Sequence, residues 1–145
     1  MKAIAITILF ILFSVKHLNV QEIKKYENVI FSENNLYAYI IAMEIKYPEI
    51  VFAQAKLESS HFKSKIFREN HNLFGMKLPR KRKTTATGEN RGHSVYSNWM
   101  SSVQDYKLWQ DRIIHKLNTK NKYYAYLGKN YAADENYVKL LKRMK

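Results

Sequence analysis

Cysteine is absent from this sequence of 145 residues, and proline and glycine are scarce, at two and four residues. Without thiols the chain can form no disulfide, no thiolate site for zinc or haem, and no lipid-modified cysteine. No Gly/Ser-rich linker, internal repeat or low-complexity tract is found either. Because 145 residues suit one compact domain, the stability must come from a single packed core.

Acidic residues are also few: 12 Asp and Glu stand against 25 Lys and Arg, for a net charge of +13. This excess favours an anionic partner, such as nucleic acid, a membrane surface or an acidic polymer. No DNA- or RNA-binding motif is present, so we expect no nucleic-acid partner. The five histidines lack the i, i+4 spacing of a metal site, and we expect neither a metal nor another cofactor.

The longest apolar run, Ala3 to Val15, is short for a membrane span and typical of a signal-peptide core. We therefore predict a signal peptide at residues 1–20, with an uncleaved short anchor as the alternative because the cleavage site is poor. The protein is expected to be exported to the periplasm, cell envelope or medium, and to touch a membrane only through this segment if it is retained. This segment is followed by an approach segment at 21–33 and one domain at 34–145. We expect the protein to be a monomer.

Apolar residues recur at helical spacing through most of that domain, and capping residues mark where helices begin. The predicted helices are one capped by Ser32 and running to Tyr47, then Pro48–Glu58, Ser64–Asn70, Asn98–Leu117, Lys122–Leu127 closed by Gly128, and a last one capped by Asp134. Asp105 and Asp111 are expected to be exposed on the fourth of these helices. Residues 78–97, with a basic run at 80–83 and glycines at 88 and 92, predict a β-hairpin or irregular flap. The fold class is therefore mainly α, with a small β-containing lobe.

Glu58 lies on the apolar face of its helix, next to Val51 and Ala55. A carboxylate there is costly unless it is paired, hydrogen-bonded or protonated. One interpretation is a structural ion pair with a nearby cation such as Arg68. The other is a general acid kept protonated near neutral pH by a partly apolar pocket, as glycosidases require. Helical spacing alone leaves both open.

The blocks around Glu58 resemble the bacterial glucosaminidase-domain family. This family typically reads A-Q-[AS]-x-x-E-[ST]-x-x-G-x-S, then N-[NH]-[LF]-F-G-[IM]-K. The corresponding segments here are Phe52–Ser60, Lys63-Ser64 and Asn72–Lys77, with Phe62 where the family usually has glycine. The similarity continues through Tyr96–Trp99, Ser101–Tyr106, Tyr126-Leu127 and Asn130–Ala132, and covers roughly Leu36 to Met144.

The resemblance implies a lysozyme-like fold, with a helical bundle and a small lobe flanking a cleft. It also implies cleavage of peptidoglycan glycan strands after N-acetylglucosamine, with Glu58 as the acid. A muramidase would present the same Glu, and lytic transglycosylase cleavage or a non-catalytic wall-binding domain are further alternatives. The positions implied for substrate binding are Gln54, Asn72, Phe74, Tyr96 and Tyr131, although each of the last four could equally be a packing or turn residue.

The second chemical role has several candidates. Glu89 is the only acidic residue between Asn70 and Gln104, so it is the candidate second catalytic acid from the small lobe. The substrate's own 2-acetamido group could instead attack the anomeric carbon. The muramyl 6-hydroxyl could also attack, although the resemblance argues against it. The basic run at 80–83 is interpreted as a solvated loop, or as a surface that attracts anionic polymer.

Overall fold

The structure is a computed structural model that describes residues 25–26, 29–131, 134 and 136–144. The predicted signal peptide and part of the approach segment lie outside the described residues. The elements, in chain order, are α1 (Glu33–Ala42), α2 (Pro48–Glu58), α3 (Lys65–Asn70), β1 (Gly88–Asn90), β2 (His93–Val95), α4 (Trp99–Gln110), a 3-10 helix (Ile114–Lys116), α5 (Lys120–Asn130) and α6 (Tyr137–Arg143). The mainly helical fold with one small sheet is the one predicted from the sequence.

Polar side chains fix the starts of several helices by accepting a hydrogen bond from a backbone N–H that has no partner within the helix. Ser32, Ser64, Asn98 and Thr119 each do this, for Asn35, Phe67, Ser101 and Lys122. Pro48 is the first residue of α2, where its missing N–H costs nothing. These starts agree with the predicted ones to within a few residues.

Three predicted helix ends are wrong. The first helix stops at Ala42, a turn follows at Met43-Glu44, and the chain bends at Lys46-Tyr47, where Tyr47 has a φ of 56°. The fourth stops at Gln110 and continues as a turn and a 3-10 helix instead of reaching Leu117. Gly128 does not close α5 but lies inside it. A Cβ at this position would come within 2.7 Å of Val138 Cγ2 on α6. Glycine is thus used for close helix packing at this position.

Helix α2 lies in the core of the described domain, between α1 and α6. Its buried residues are Ile50, Val51, Ala53, Gln54 and Ala55, and the surrounding core adds residues from every other α-helix. No helix of the described part is both long enough and apolar enough to cross a membrane.

The small lobe is an antiparallel hairpin with Glu89 opposite Ser94. Arg91 and Gly92 form its two-residue turn, both with positive φ, as a type I′ turn requires. Strand β2 is attached to the rest of the molecule through a 2.9 Å hydrogen bond from Ser94 N to Met76 O. The hairpin is therefore held by the turn that follows α3.

Candidate active site around Glu58

Glu58 is the last residue of α2 and remains partly exposed. The Tyr137 hydroxyl donates a hydrogen bond of 2.7 Å to Glu58 Oε1. Among the described residues Glu58 forms no ion pair, and Arg68, the expected partner in the structural interpretation, is exposed elsewhere. Burial raises the pKa of the Glu58 carboxyl above its ordinary value, and the bond from Tyr137 only partly offsets this. The carboxyl therefore holds its proton to higher pH than a solvated glutamate.

The turn at Asn72–Gly75 brings backbone against this carboxyl. Gly75 has a φ of +63°, and a Cβ on it would lie 3.3 Å from Glu58 Oε2. Asn72 closes the turn: its Oδ1 accepts from Met76 N at 3.1 Å, and its Nδ2 donates to Met76 O and Ser94 O. Both ends of the buried Asn72 amide are thus occupied by backbone. Asn72 shapes the site in this structure and has no free group for a ligand.

A chain of buried polar side chains runs from α4 towards Glu58. Gln110 Oε1 accepts from Lys46 N, so Gln110 Nε2 is the end that donates to Lys46 O and to the Tyr123 hydroxyl. Tyr123 contacts the Tyr106 hydroxyl, which donates at 2.6 Å to Gln54 Oε1. Because Tyr123 accepts from Gln110 Nε2, its own proton is left for Tyr106, and the Tyr106 proton then goes to Gln54. The backbone of Lys46 therefore sets the direction of every bond in the chain.

This direction determines how Gln54 is oriented. Its Oε1 is taken by Tyr106, so its Nε2 is the end left over, and no group in the described part of the chain accepts a well-formed hydrogen bond from it. Gln54 lies one helical turn before Glu58, on the same face of α2. Burial and the Glu58 carboxylate hold the pKa of Tyr137 far above its ordinary value, and the opposing effect of the nearby Gln54 amide is smaller. Tyr137 consequently keeps its proton and reaches Glu58 as a donor.

A groove of about 320 Å³ begins beside Gly75. Tyr131 lines it, donates a 2.6 Å hydrogen bond to Phe74 O, and stacks on Tyr137 with ring centroids 6.3 Å apart. Trp109 lines the same groove and meets the Tyr131 ring edge to face. Flat aromatic faces are the kind of surface that binds a sugar ring, and Gly75 connects this groove to the Glu58 carboxyl.

A buried ion pair fixes the loop on the far side of this groove. Arg82 binds Asp105 with two bonds, Nη1 to Oδ1 at 2.6 Å and Nη2 to Oδ2 at 2.9 Å, and Tyr96 donates to the same carboxylate at 2.7 Å. Burial alone would raise the pKa of Asp105, but the bonds from Arg82, Thr84 and Tyr96 outweigh it and hold that pKa below its ordinary value. The prediction that Asp105 is exposed is wrong, because the guanidinium covers a carboxylate that is 0% exposed.

The five predicted substrate-binding residues differ in whether they are buried or line the groove. Four of them are buried, with exposed fractions of 1% or less: Gln54, Asn72, Phe74 and Tyr96. Tyr131 alone among the five lines the groove. Glu89 is exposed on β1, in the hairpin attached to the Asn72–Gly75 turn. No three acidic or histidine side chains in the described residues are arranged to hold a metal ion.

Tyr137, Trp109 and Arg82 are site residues that the sequence did not indicate. Tyr137 and Trp109 recur with apolar residues at helical spacing, which is typical of core positions, and Arg82 is one cation in a basic run. Their common feature is a polar atom on an otherwise apolar or flexible side chain, which helical spacing cannot assign to a particular partner.

The sequence of this protein matches the family "Glucosaminidase: Mannosyl-glycoprotein endo-beta-N-acetylglucosaminidase" over residues 33–145. It is also similar to Protein bax of Escherichia coli (strain K12), with 42% identity over 57 residues; these are 39% of this chain and only 21% of that protein.

Its fold is similar to the crystal structure of the catalytic domain of the autolysin Auto from Listeria monocytogenes. The TM-score is 0.57 at 20% sequence identity, and the match covers 88% of this chain and 91% of that domain. The fold is therefore the lysozyme-like one expected from the sequence. Since the family match spans most of the chain, the protein belongs to the glucosaminidase family of glycoside hydrolases.

Proposed function

We propose that this protein is a peptidoglycan hydrolase that cleaves the β-1,4 bond on the reducing side of N-acetylglucosamine, with Glu58 as the general acid. The observation that carries the proposal is the state of Glu58. It ends a buried helix, stays partly exposed, has a pKa raised by burial, and has no cationic partner among the described residues. An acid that serves as half of a structural ion pair would have a cationic partner, as Asp105 has in Arg82.

The chemistry begins with proton transfer from Glu58 to the glycosidic oxygen, as the anomeric carbon becomes oxocarbenium-like. Tyr137 orients the carboxyl through Oε1, which leaves Oε2 on the side of Gly75. After transfer, the Tyr137 hydroxyl stabilises the new carboxylate, because it can donate to the charged form. The absence of a side chain at Gly75 leaves room for this oxygen next to the groove.

The second role is assigned to Glu89 in this proposal. An exposed carboxylate on the hairpin could activate water from the opposite side of the sugar ring. The competing assignment is attack by the substrate's own 2-acetamido group, which needs no second protein carboxylate. Replacing Glu89 distinguishes the two assignments, because only the first depends on its carboxylate.

The substrate is inferred from three observations. The family description names an endo-β-N-acetylglucosaminidase, and the structural relative is the catalytic domain of an autolysin. The net charge of +13 suits an anionic wall polymer. Action on such a polymer requires export, which agrees with the predicted signal peptide at residues 1–20 and an envelope or extracellular location.

The bond is identified by its products. Purified sacculi are digested with the protein, reduced with borohydride, and the fragments analysed by mass spectrometry. We expect reduced N-acetylglucosamine at the new ends. Reduced N-acetylmuramic acid would indicate a muramidase, and anhydromuramyl ends would indicate a lytic transglycosylase. Undigested sacculi would leave only wall binding.

A further inference from the structure

A second depression, of about 290 Å³, lies on the surface next to the loop that Arg82 anchors. Its lining residues are Lys81, Arg82, Lys83, Leu108 and Arg112, of which all but Leu108 are cations. Arg82 also lines the groove beside Gly75, so the depression and the groove adjoin each other. This surface is called the basic depression below.

The cations of the basic depression come from two separate parts of the chain. Lys81 and Lys83 belong to the loop between α3 and β1, whereas Arg112 lies in the turn after α4. The basic run in the sequence explains why the two lysines lie together, but it does not explain why Arg112 lies beside them. The fold therefore concentrates positive charge at this place.

The loop that carries the lysines is held by specific bonds. Arg82 Nη1 donates to Lys83 O at 2.9 Å as well as to Asp105, and the Thr85 hydroxyl donates to Ser101 O at 2.6 Å. These bonds fasten the loop to α4 on both sides of Lys83. The interpretation of residues 80–83 as a merely solvated loop is therefore too simple, because the backbone presents the lysines in a fixed place.

The positive charge of the basic depression is only partly balanced. Asp105 neutralises Arg82, and the nearby Asp111 is bound by Lys107. Lys81, Lys83 and Arg112 are exposed, and within the described residues none of them has an acidic partner. Three like charges around one concave surface repel each other, and a bound oxyanion would relieve that repulsion.

We propose that the basic depression binds carboxylates of the peptide stems on the glycan strand that occupies the adjoining groove. The proposal rests on the proposed function, because it takes the groove as the place of the strand. Lysine and arginine are the side chains that bind oxyanions, and the stems are the anionic groups attached to that strand. Phosphate groups of another wall polymer share this chemistry but are not attached to the strand being cut.

The test uses a triple variant, Lys81→Gln, Lys83→Gln and Arg112→Gln, in the full chain. A matched control removes the same charge elsewhere, through Lys116→Gln, Lys139→Gln and Arg143→Gln, all exposed. Both triples also carry Glu58→Gln, so that the strands stay intact while binding is measured. Binding to stem-bearing strands, to strands stripped of stems by an amidase and then amidated at the freed lactyl carboxylates, and to sacculi freed of phosphate polymer is measured by co-sedimentation at low salt.

We expect the first triple to bind stem-bearing strands about tenfold more weakly, which three exposed charge contacts can account for. Binding to stripped strands should be unchanged, the control triple should stay within about twofold, and added salt should reduce the difference. The proposal would be overturned if the first triple lost the same amount of binding on stripped strands, or if the control triple lost as much binding as the first. It would also be overturned if the first triple lost no binding. So would a loss that disappears once phosphate polymer is removed while the stems remain. Failure of the unsubstituted protein to release reducing ends would refute the proposed function without changing this binding result.

Discussion

The Tyr137 hydroxyl and the Glu58 carboxyl are 79 residues apart in the chain and joined by a hydrogen bond of 2.7 Å. The bond favours the ionised carboxyl, whereas burial favours the protonated one and has the larger effect on the pKa. Whether Glu58 keeps the proton that the proposed mechanism needs therefore depends on the balance between burial and the hydrogen bond from Tyr137.

Tyr137→Phe removes the hydrogen bond that lowers the pKa of Glu58, so that pKa should rise further. A general acid acts only while protonated, and kcat should therefore keep its value to higher pH before the alkaline fall begins. The measurement is the pH dependence of kcat for both proteins. Tyr37→Phe, on the exposed side of α1, is the control and should leave the profile unchanged. An alkaline limb at the same or lower pH in Tyr137→Phe would contradict this account.

Gly75 and Gly92 allow the effect of backbone strain to be separated from contact with the carboxyl. Both have positive φ, at +63° and +71°, but only a Cβ on Gly75 would approach Glu58, while nothing lies within 4 Å of one on Gly92. Alanine at either position should cost about 1 kcal/mol of the free energy of unfolding.

Only Gly75→Ala should also lower kcat, because its methyl group displaces Glu58 Oε2. Denaturant unfolding and turnover of sacculi are measured on both variants. Comparable activity in the two would show that the close approach at Gly75 has no catalytic role.

Asp105→Asn breaks the buried pair with Arg82 and leaves a guanidinium without its partner. The expected loss at about pH 7 is about 3 kcal/mol of the free energy of unfolding. Because folding lowers the pKa of Asp105, the stability from this pair is present above the unfolded-state pKa and disappears as pH falls through the folded-state pKa. The difference between the two proteins should therefore shrink at about pH 3. A difference that is constant with pH, measured by urea unfolding, would exclude this ionic contribution.

Glu89→Gln tests the second catalytic role. If Glu89 activates water, kcat should fall by about a hundredfold or more, with little change in stability because the side chain is exposed. Glu69→Gln, which removes another exposed acid, serves as the charge control. Turnover within about threefold of the unsubstituted protein would assign the second role to the substrate's acetamido group.

The helix that carries Glu58 could be predicted from the sequence because its signals are local. Pro48 marks the first residue, the apolar spacing defines the buried face, and Asn72 and Gly75 have the chemistry of a turn. The pairing of Arg82 with Asp105 could not be predicted in this way. Its partners are 23 residues apart, and an aspartate on a helix looks the same whether or not a distant guanidinium covers it.

Gly128 and Tyr137 show the same dependence on contacts between distant segments. Glycine near the end of a helical pattern usually closes the helix, but here α6 packs so closely that only glycine fits inside α5. Tyr137 belongs to the apolar face of α6, and only its place in the fold shows that the hydroxyl reaches Glu58. Local patterns identified the catalytic candidate, whereas its partners depend on contacts between distant segments.

Glu58→Gln provides the most direct test of the central claim. Burial raises the pKa of Glu58, so its ionised form costs stability above that pKa, and the Gln variant should be at least as stable at about pH 7. The measurement is the rate at which this variant releases reducing ends from sacculi, alongside its binding to the same material. The account predicts unchanged binding and a rate at least about a hundredfold lower. A folded Glu58→Gln variant that cleaves at a rate close to that of the unsubstituted protein would contradict it.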